Sequence, residues 1–404
     1  MIQLNRLGNV AFCGLAKFVE QPLKIFFRFL RFGCLAFGGP VAQIAMIRRE
    51  LVDEERWLPS DRFNRLLAVY QVLPGPEAHE LCVHLGRMRG GRLGGFLAGL
   101  GFMLPGFLLV LGLATLYSRI DLTSPGIAAA MLGMQIAVIA LIVVAVRRIG
   151  QHILEDRWLW AIAILAFAAT LAAGSFWIVL PVGGLSYMLA HRGNRSAAIA
   201  VLTLGLALGW FMHGGAVHQT TEQMALPPTL AALFLAGLKG GLLTFGGAYT
   251  AIPFVRDDAV GKGWVSDGQF LDALALSGMV PAPLVIFVTF VGYLAGGVPG
   301  ALVMTAGMFL PAFSFGLIFY DRLETIVEDV RFHDLLQGVA AGVVGIIAAT
   351  SIELAIPLAG RVPNIWIGLA IFLTALAILW RARSRWTALW LIPLAGVAGW
   401  TLLR

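Results

Sequence analysis

Residues 31–40 read Arg31-Phe-Gly-Cys-Leu-Ala-Phe37-Gly38-Gly39-Pro40, and 208 positions further on, residues 239–248 read Lys239-Gly-Gly-Leu-Leu-Thr-Phe245-Gly246-Gly247-Ala248. In both, a basic residue stands six positions before Phe-Gly-Gly. The echo continues through Trp57 and Trp264, Phe63 and Phe270, Pro74-Gly75-Pro76 and Pro281-Ala282-Pro283, Leu85-Gly86 and Val291-Gly292, and Leu104-Pro105-Gly106 and Leu310-Pro311-Ala312. One unit therefore occurs twice. Duplicated membrane units with helices broken by glycine and proline at matching positions mark a secondary transporter, and the breaks point to its binding site.

With 59% hydrophobic and 13% charged residues, the 404-residue chain carries more apolar surface than a soluble globule can hide. The apolar residues run continuously instead of alternating, which excludes a β-barrel. The expected fold is an all-α polytopic membrane protein with about thirteen hydrophobic segments. Nine lie near 93–117, 126–146, 158–173, 176–190, 197–213, 299–319, 335–358, 364–380 and 386–403. Four more lie near 23–47, 66–86, 229–254 and 271–294, and these either span or re-enter. The division is a first repeat at 1–190, a linking helix and external loop at 191–228, and a second repeat at 229–404. No cleaved signal peptide is read at the N-terminus. Cys13, Cys34 and Cys82, odd in number and in apolar surroundings, read as packing residues.

Cationic residues mark cytoplasmic loops. They cluster at Lys17/Lys24/Arg28, Arg87/Arg89/Arg92, Arg147/Arg148/Arg157, Arg192/Arg195 and Arg381/Arg383/Arg385, whereas 214–228 has no Lys or Arg. These clusters place the N-terminus in the cytoplasm and the C-terminus in the periplasm. They also make the two repeats inverted, with the unpartnered helix near 197–213 as the element that turns the second one over.

Glycine and proline interrupt a helix, and in a membrane the interruption survives only where it is enclosed by protein or lines a cavity. A half-helix N-terminus exposed there favours anions. Arg31 and Lys239 add charge beside Phe37, Gly38 and Gly39, and beside Phe245, Gly246 and Gly247. Such a set suits a small tetrahedral dianion. Snorkelling cations and tight helix packing are the plainer explanation of the same residues. Pro74, Gly75 and Pro76, with Pro281 and Pro283, read as paired hinges or re-entrant turns, and Arg48 and Arg49 as an electrostatic funnel. Glu77, Glu80 and His84 share a helical face and, with Glu353, are candidates for proton coupling. The alternative pairs Glu77 and Glu80 with the arginines of 48–65. His79 and His84 are five apart, so they do not make a zinc-protease motif. No nucleotide-binding motif is present, and the reading is a transporter rather than an enzyme, with no metal, cofactor or nucleic-acid partner.

Phe37-Gly-Gly-Pro40, Arg48-Arg49-Glu50, Trp57-Leu58, Gln71-Val-Leu-Pro74-Gly-Pro76, Leu85-Gly86 and Leu104-Pro105-Gly106 together resemble the chromate ion transporter family in its long, two-domain form. The resemblance is densest over 27–117 and 235–320. It implies an inner-membrane exporter of chromate conferring resistance, with sulfate as competitor or second ligand and two homologous halves. Ala248 where the first copy has Pro40, and Arg256-Asp257 where it has Arg48-Arg49, imply that the halves differ in binding. A sulfate or molybdate importer and an anion channel are the other readings. The partners expected are the oxyanion and the lipid bilayer, with a homodimer allowed.

Overall fold

A computed structural model describes residues 20–172, 174–213, 228–320, 330–382, 384 and 386–404. Lys17, Cys13 and the N-terminus, residues 214–227, and Arg383 and Arg385 lie outside the described residues. The described residues are helical and contain no strand. The helices of the first half are α1 (Pro22–Cys34), α2 (Gly39–Ile47), α3 (Ser60–Val72), α4 (Glu77–Tyr117), α5 (Pro125–Ile153), α6 (Arg157–Leu171) and α7 (Phe176–His191). α8 (Arg195–His213) links to α9 (Leu230–Leu242), α10 (Ile252–Ala259), α11 (Asp267–Gly278), α12 (Phe287–Leu317), α13 (Val330–Arg361), α14 (Ile365–Arg381) and α15 (Thr387–Leu402).

The second half repeats the first. α1 and α9 are each 13 residues long. α4 turns sharply at Gly90 (φ −130°, ψ 18°) and Gly91 (φ 63°, ψ −160°), and α12 turns at Gly296 (φ −148°, ψ 23°) and Gly297 (φ 63°, ψ −157°). Each turn folds a short arm back along a long one. Thr289 and Thr305 share a hydroxyl hydrogen bond of 2.7 Å across the α12 turn. A side chain at Gly86 would strike Ala98 and Gly94 across the α4 turn.

The segments whose depth the sequence left open are also helical hairpins. Gln43 donates to the Ala36 carbonyl at 2.8 Å, Arg31 pairs with Glu50 and Arg28 with Glu55, so α1 runs antiparallel to α2 and its π-helical continuation, Arg48–Glu54. Lys239 meets Asp257 at 3.1 Å and Asp258 at 2.5 Å, and the Phe245 amide donates to Thr250 at 3.0 Å, so α9 folds back the same way onto α10. The tips are Phe37-Gly38-Gly39 and Phe245-Gly246-Gly247. A second hairpin follows in each half, with tips at Pro74–Pro76 and Pro281–Pro283. Tyr70 of α3 bonds His84 of α4 at 2.8 Å, and the Phe270 and Phe287 rings meet edge-on at 5.7 Å. A 13-residue arm is about 20 Å long, short of the roughly 30 Å hydrocarbon core.

Four helices are long and apolar enough to cross a membrane: α4, α5, α12 (with the turn before it) and the Phe332–Arg361 part of α13. Small residues let them approach closely. A side chain at Gly101 would collide with the Phe26 carbonyl of α1, and one at Gly307 with the Phe234 carbonyl of α9, so the same helix pair closes on a glycine in both halves. Beyond the hairpins the halves interleave. α5 packs against α14 and α15, and α13 packs against α6 and α7. Gly133 sits on Ala395 and Gly399, and Gly338 sits on Gly183 and Gly184.

Candidate functional site

Two tips from opposite halves touch. The Gly75 amide of the Pro-Gly-Pro tip donates to the Thr244 carbonyl, one residue before Phe245, at 2.8 Å. Across the same seam, a side chain at Gly106 would collide with Ala282 of the other proline tip. Among the described residues, no protein acceptor meets the amides of Gly38, Gly246 or Gly247. Gly38 and Gly39 adopt positive φ (94° and 77°), as do Gly246 and Gly247 (68° and 134°), which turns the chain within one or two residues. α2 begins at the first tip with no side-chain cap, so its free N–H groups face the bend. The tips are not alike. At the first, Gly38 is exposed and Val41 is 81% exposed; at the second, Phe245 and Ala248 are buried. Phe37 packs on Trp386 with ring centroids 4.8 Å apart, and Gly246 lies against Ile149 and Ile153 of α5.

Arg31 and Lys239 stand on the descending arms, each paired with a carboxylate on the opposite arm of its own hairpin. Arg31 and Lys239 are 208 positions apart, and so are Glu50 and Asp258, which meets Lys239 at 2.5 Å, so the ion pair is part of the repeat. The environments differ. The Arg31 side chain is 59% exposed, beside an open cleft of about 480 Å³ that also takes in Lys24, Arg28 and Glu55. Lys239 is 13% exposed, lies 4.9 Å above the Phe176 ring and also pairs with Asp258.

Arg49 pairs with Glu54 at 2.9 Å, and Arg48 approaches Asp53 at 3.9 Å and donates to Asn64 at 3.3 Å. The funnel arginines thus carry their own counter-ions, and Glu77 and Glu80 are not among them. Glu353 accepts from Arg256 at 2.9 Å, and Arg256 also holds Asp267 at 2.9 Å, so Glu353 joins α13 to the second hairpin pair as an ion-pair partner. Glu77, His79, Glu80 and His84 are all buried. The His79 ring is enclosed by Phe102, Phe309 and Phe313.

One network lies outside the sequence reading. Asp272 of α11 accepts from Tyr117 at the end of α4 and from Gln135 of α5, both at 2.7 Å, and Arg361 of α13 donates to Gln135 at 2.8 Å. It ties the second proline hairpin to long helices of both halves. A lone carboxylate in the apolar run that starts at Phe270 was its signal. No cluster of metal-ligating side chains occurs among the described residues.

Comparison with known proteins gives the class. The chromate transporter family model matches twice, over residues 23–188 and 231–400, one match per repeat. The chain belongs to that family and is a multi-pass membrane protein of transporter type. It is 58% identical over 382 residues to the chromate transport protein of Pseudomonas aeruginosa, covering 93% of this chain and 91% of that one. It is 31% identical over 339 residues to the chromate transport protein of Cupriavidus metallidurans, covering 81% of each. The uncharacterized transporter YwrB of Bacillus subtilis is 34% identical over 140 residues, 34% of this chain and 69% of that protein. No solved structure matches.

Proposed function

We propose that this chain exports chromate across the bacterial inner membrane, binding the dianion at the hairpin tips. The observation that carries this reading is the pair of Phe-Gly-Gly tips with unmet amides, each a fixed distance in sequence from a paired cation, in a member of this family. Amides at a half-helix terminus supply partial positive charge without the desolvation cost of a bare cation. Arg31 and Lys239 hold the hairpin arms together through Glu50 and Asp257 and raise the potential at the tips. Arg28, Arg48 and Arg49 are offset by Glu55, Asp53 and Glu54, which leaves Lys24 at the cleft as a cation that draws anions toward the open first tip.

The loop charges support inverted repeats, with the first pair of hairpins entering from the cytoplasm and the second from the periplasm. The exposed first tip and buried second tip then fit a conformation open to the cytoplasm. Outward movement of a dianion is favoured by about 2.3 kcal/mol per charge per 100 mV of inside-negative potential, so no ATP is needed. Both hairpin pairs come from one chain.

Inside-out vesicles carrying the protein are expected to accumulate chromate saturably, with sulfate competing and with loss of accumulation when the potential is collapsed. No accumulation above empty vesicles, with uptake into right-side-out vesicles that depends on an imposed cation gradient, would make it an importer; flux without saturation would make it a channel.

A further inference from the structure

Glu80, in the first turn of the α4 short arm, is completely buried, and neither of its carboxyl oxygens has a hydrogen-bond partner among the described residues. The carboxyl lies over Gly75: a Cβ built at Gly75 would come 2.6 Å from Oε1. Since the Gly75 amide is the group that bonds Thr244, Glu80 sits directly behind the contact between the two tips. The residue 207 positions later is Phe287, so only one half carries the carboxyl.

The groups around it do not neutralise it. Its own helix brings Glu77, also buried, and His84, whose Nδ1 is taken by Tyr70 and whose Nε2 has no partner. α3 contributes Tyr70 and, further out, Arg62; the turn after α12 contributes Tyr320, whose ring lies tilted 4.3 Å from that of His84. The Arg87 guanidinium donates to the Leu317 carbonyl and lies over the Tyr320 ring. The rest of α12 and the long arm of α4 present Phe102, Phe309 and Phe313 to His79, and the second tip presents the uncharged Thr244. A helix N-terminus favours a first-turn carboxylate, which accounts for Glu77 at the first position. It does not account for Glu80, since a buried ionised carboxylate requires a donor or a cation.

We propose that Glu80 is a proton-binding site and that its proton is taken up together with the oxyanion. The proposal rests on the reading of the tips as the anion site. An ionised carboxylate behind the tip contact repels an arriving dianion, and a neutral one does not. Each ligand therefore favours the other, reciprocally. Chromate then leaves with one proton, and the transported unit carries one net negative charge.

The test is chromate binding to the purified protein in weakly buffered detergent, with a pH indicator, at a series of pH values that starts where free chromate is already the dianion and rises through the titration of Glu80. Above the titration of Glu80 in the empty protein, wild-type protein is expected to take up about one proton per chromate bound and to lose affinity about ten-fold per pH unit. Glu80→Gln is expected to take up none and to lose the pH dependence. Wild-type protein that binds chromate with no proton uptake and no pH dependence anywhere in the series overturns the proton site and leaves the tip reading standing. A Glu80→Gln protein that keeps the wild-type pH dependence overturns it as well. Wild-type protein that binds no chromate overturns both.

Discussion

Replacing Lys239 with methionine is expected to abolish chromate transport and to weaken the fold, whereas Arg31→Met is expected to abolish transport in a protein that stays folded. The difference follows from burial. Lys239 is 13% exposed and Asp258 is 8% exposed, so removing the lysine leaves a buried carboxylate with Lys262, 2.6 Å away, as its remaining cation. A wholly orphaned buried charge costs 3–5 kcal/mol, and with Lys262 in place the loss should be about 2 kcal/mol. Arg31 is 59% exposed, and an exposed pair contributes about 0–1 kcal/mol. Thermal unfolding in detergent, measured beside vesicle uptake, separates the two effects. Asp258→Asn added to Lys239→Met should recover stability without recovering transport. Normal transport in either single variant would remove that cation from the anion site.

Gly91→Ala and Gly297→Ala are expected to destabilise the protein by about 1–3 kcal/mol each and to cut the amount of folded protein accordingly. Both glycines sit at φ 63° with ψ near −160°, a region that L-residues essentially do not occupy. No atom lies within 4 Å of a Cβ at Gly91, and only the Pro299 ring, at 3.8 Å, approaches one at Gly297. The cost is therefore backbone strain, not a clash. Since the short arm of α4 carries Glu77 to His84 and begins at the proline tip, loosening the turn should also impair transport in the protein that does fold. Wild-type melting temperatures in both variants would show that the turns are not fixed as described.

The duplication was legible because Phe-Gly-Gly and the proline pairs recur with their neighbours in the same order, at an offset that drifts only from 208 to 206 residues. The break near 87–92 was legible from its arginines, and the nine other hydrophobic stretches all coincide with helices. The fold-back of residues 23–47, 66–86, 229–254 and 271–294 was not. An apolar segment broken at its middle has the same composition whether its second half continues forward or returns, and only cross-arm pairs such as Arg31–Glu50 and Lys239–Asp257 decide. The environment of Glu80 was equally hidden. Sequence offers the arginines of 48–65 as partners, but Arg48 and Arg49 find Asp53 and Glu54 within their own turn, and neither carboxyl oxygen of Glu80 has a hydrogen-bond partner among the described residues.

The claim that the tips hold the anion is tested most directly by chromate binding to purified Val41→Glu protein, compared with Val41→Gln and wild type. Val41 is 81% exposed in the first turn of α2, at the open tip, so the exchange alters charge without disturbing packing. A carboxylate at that half-helix N-terminus should oppose a bound dianion and weaken chromate binding at least ten-fold, with Val41→Gln close to wild type. Equal affinity in all three proteins would contradict an anion site at the hairpin tip.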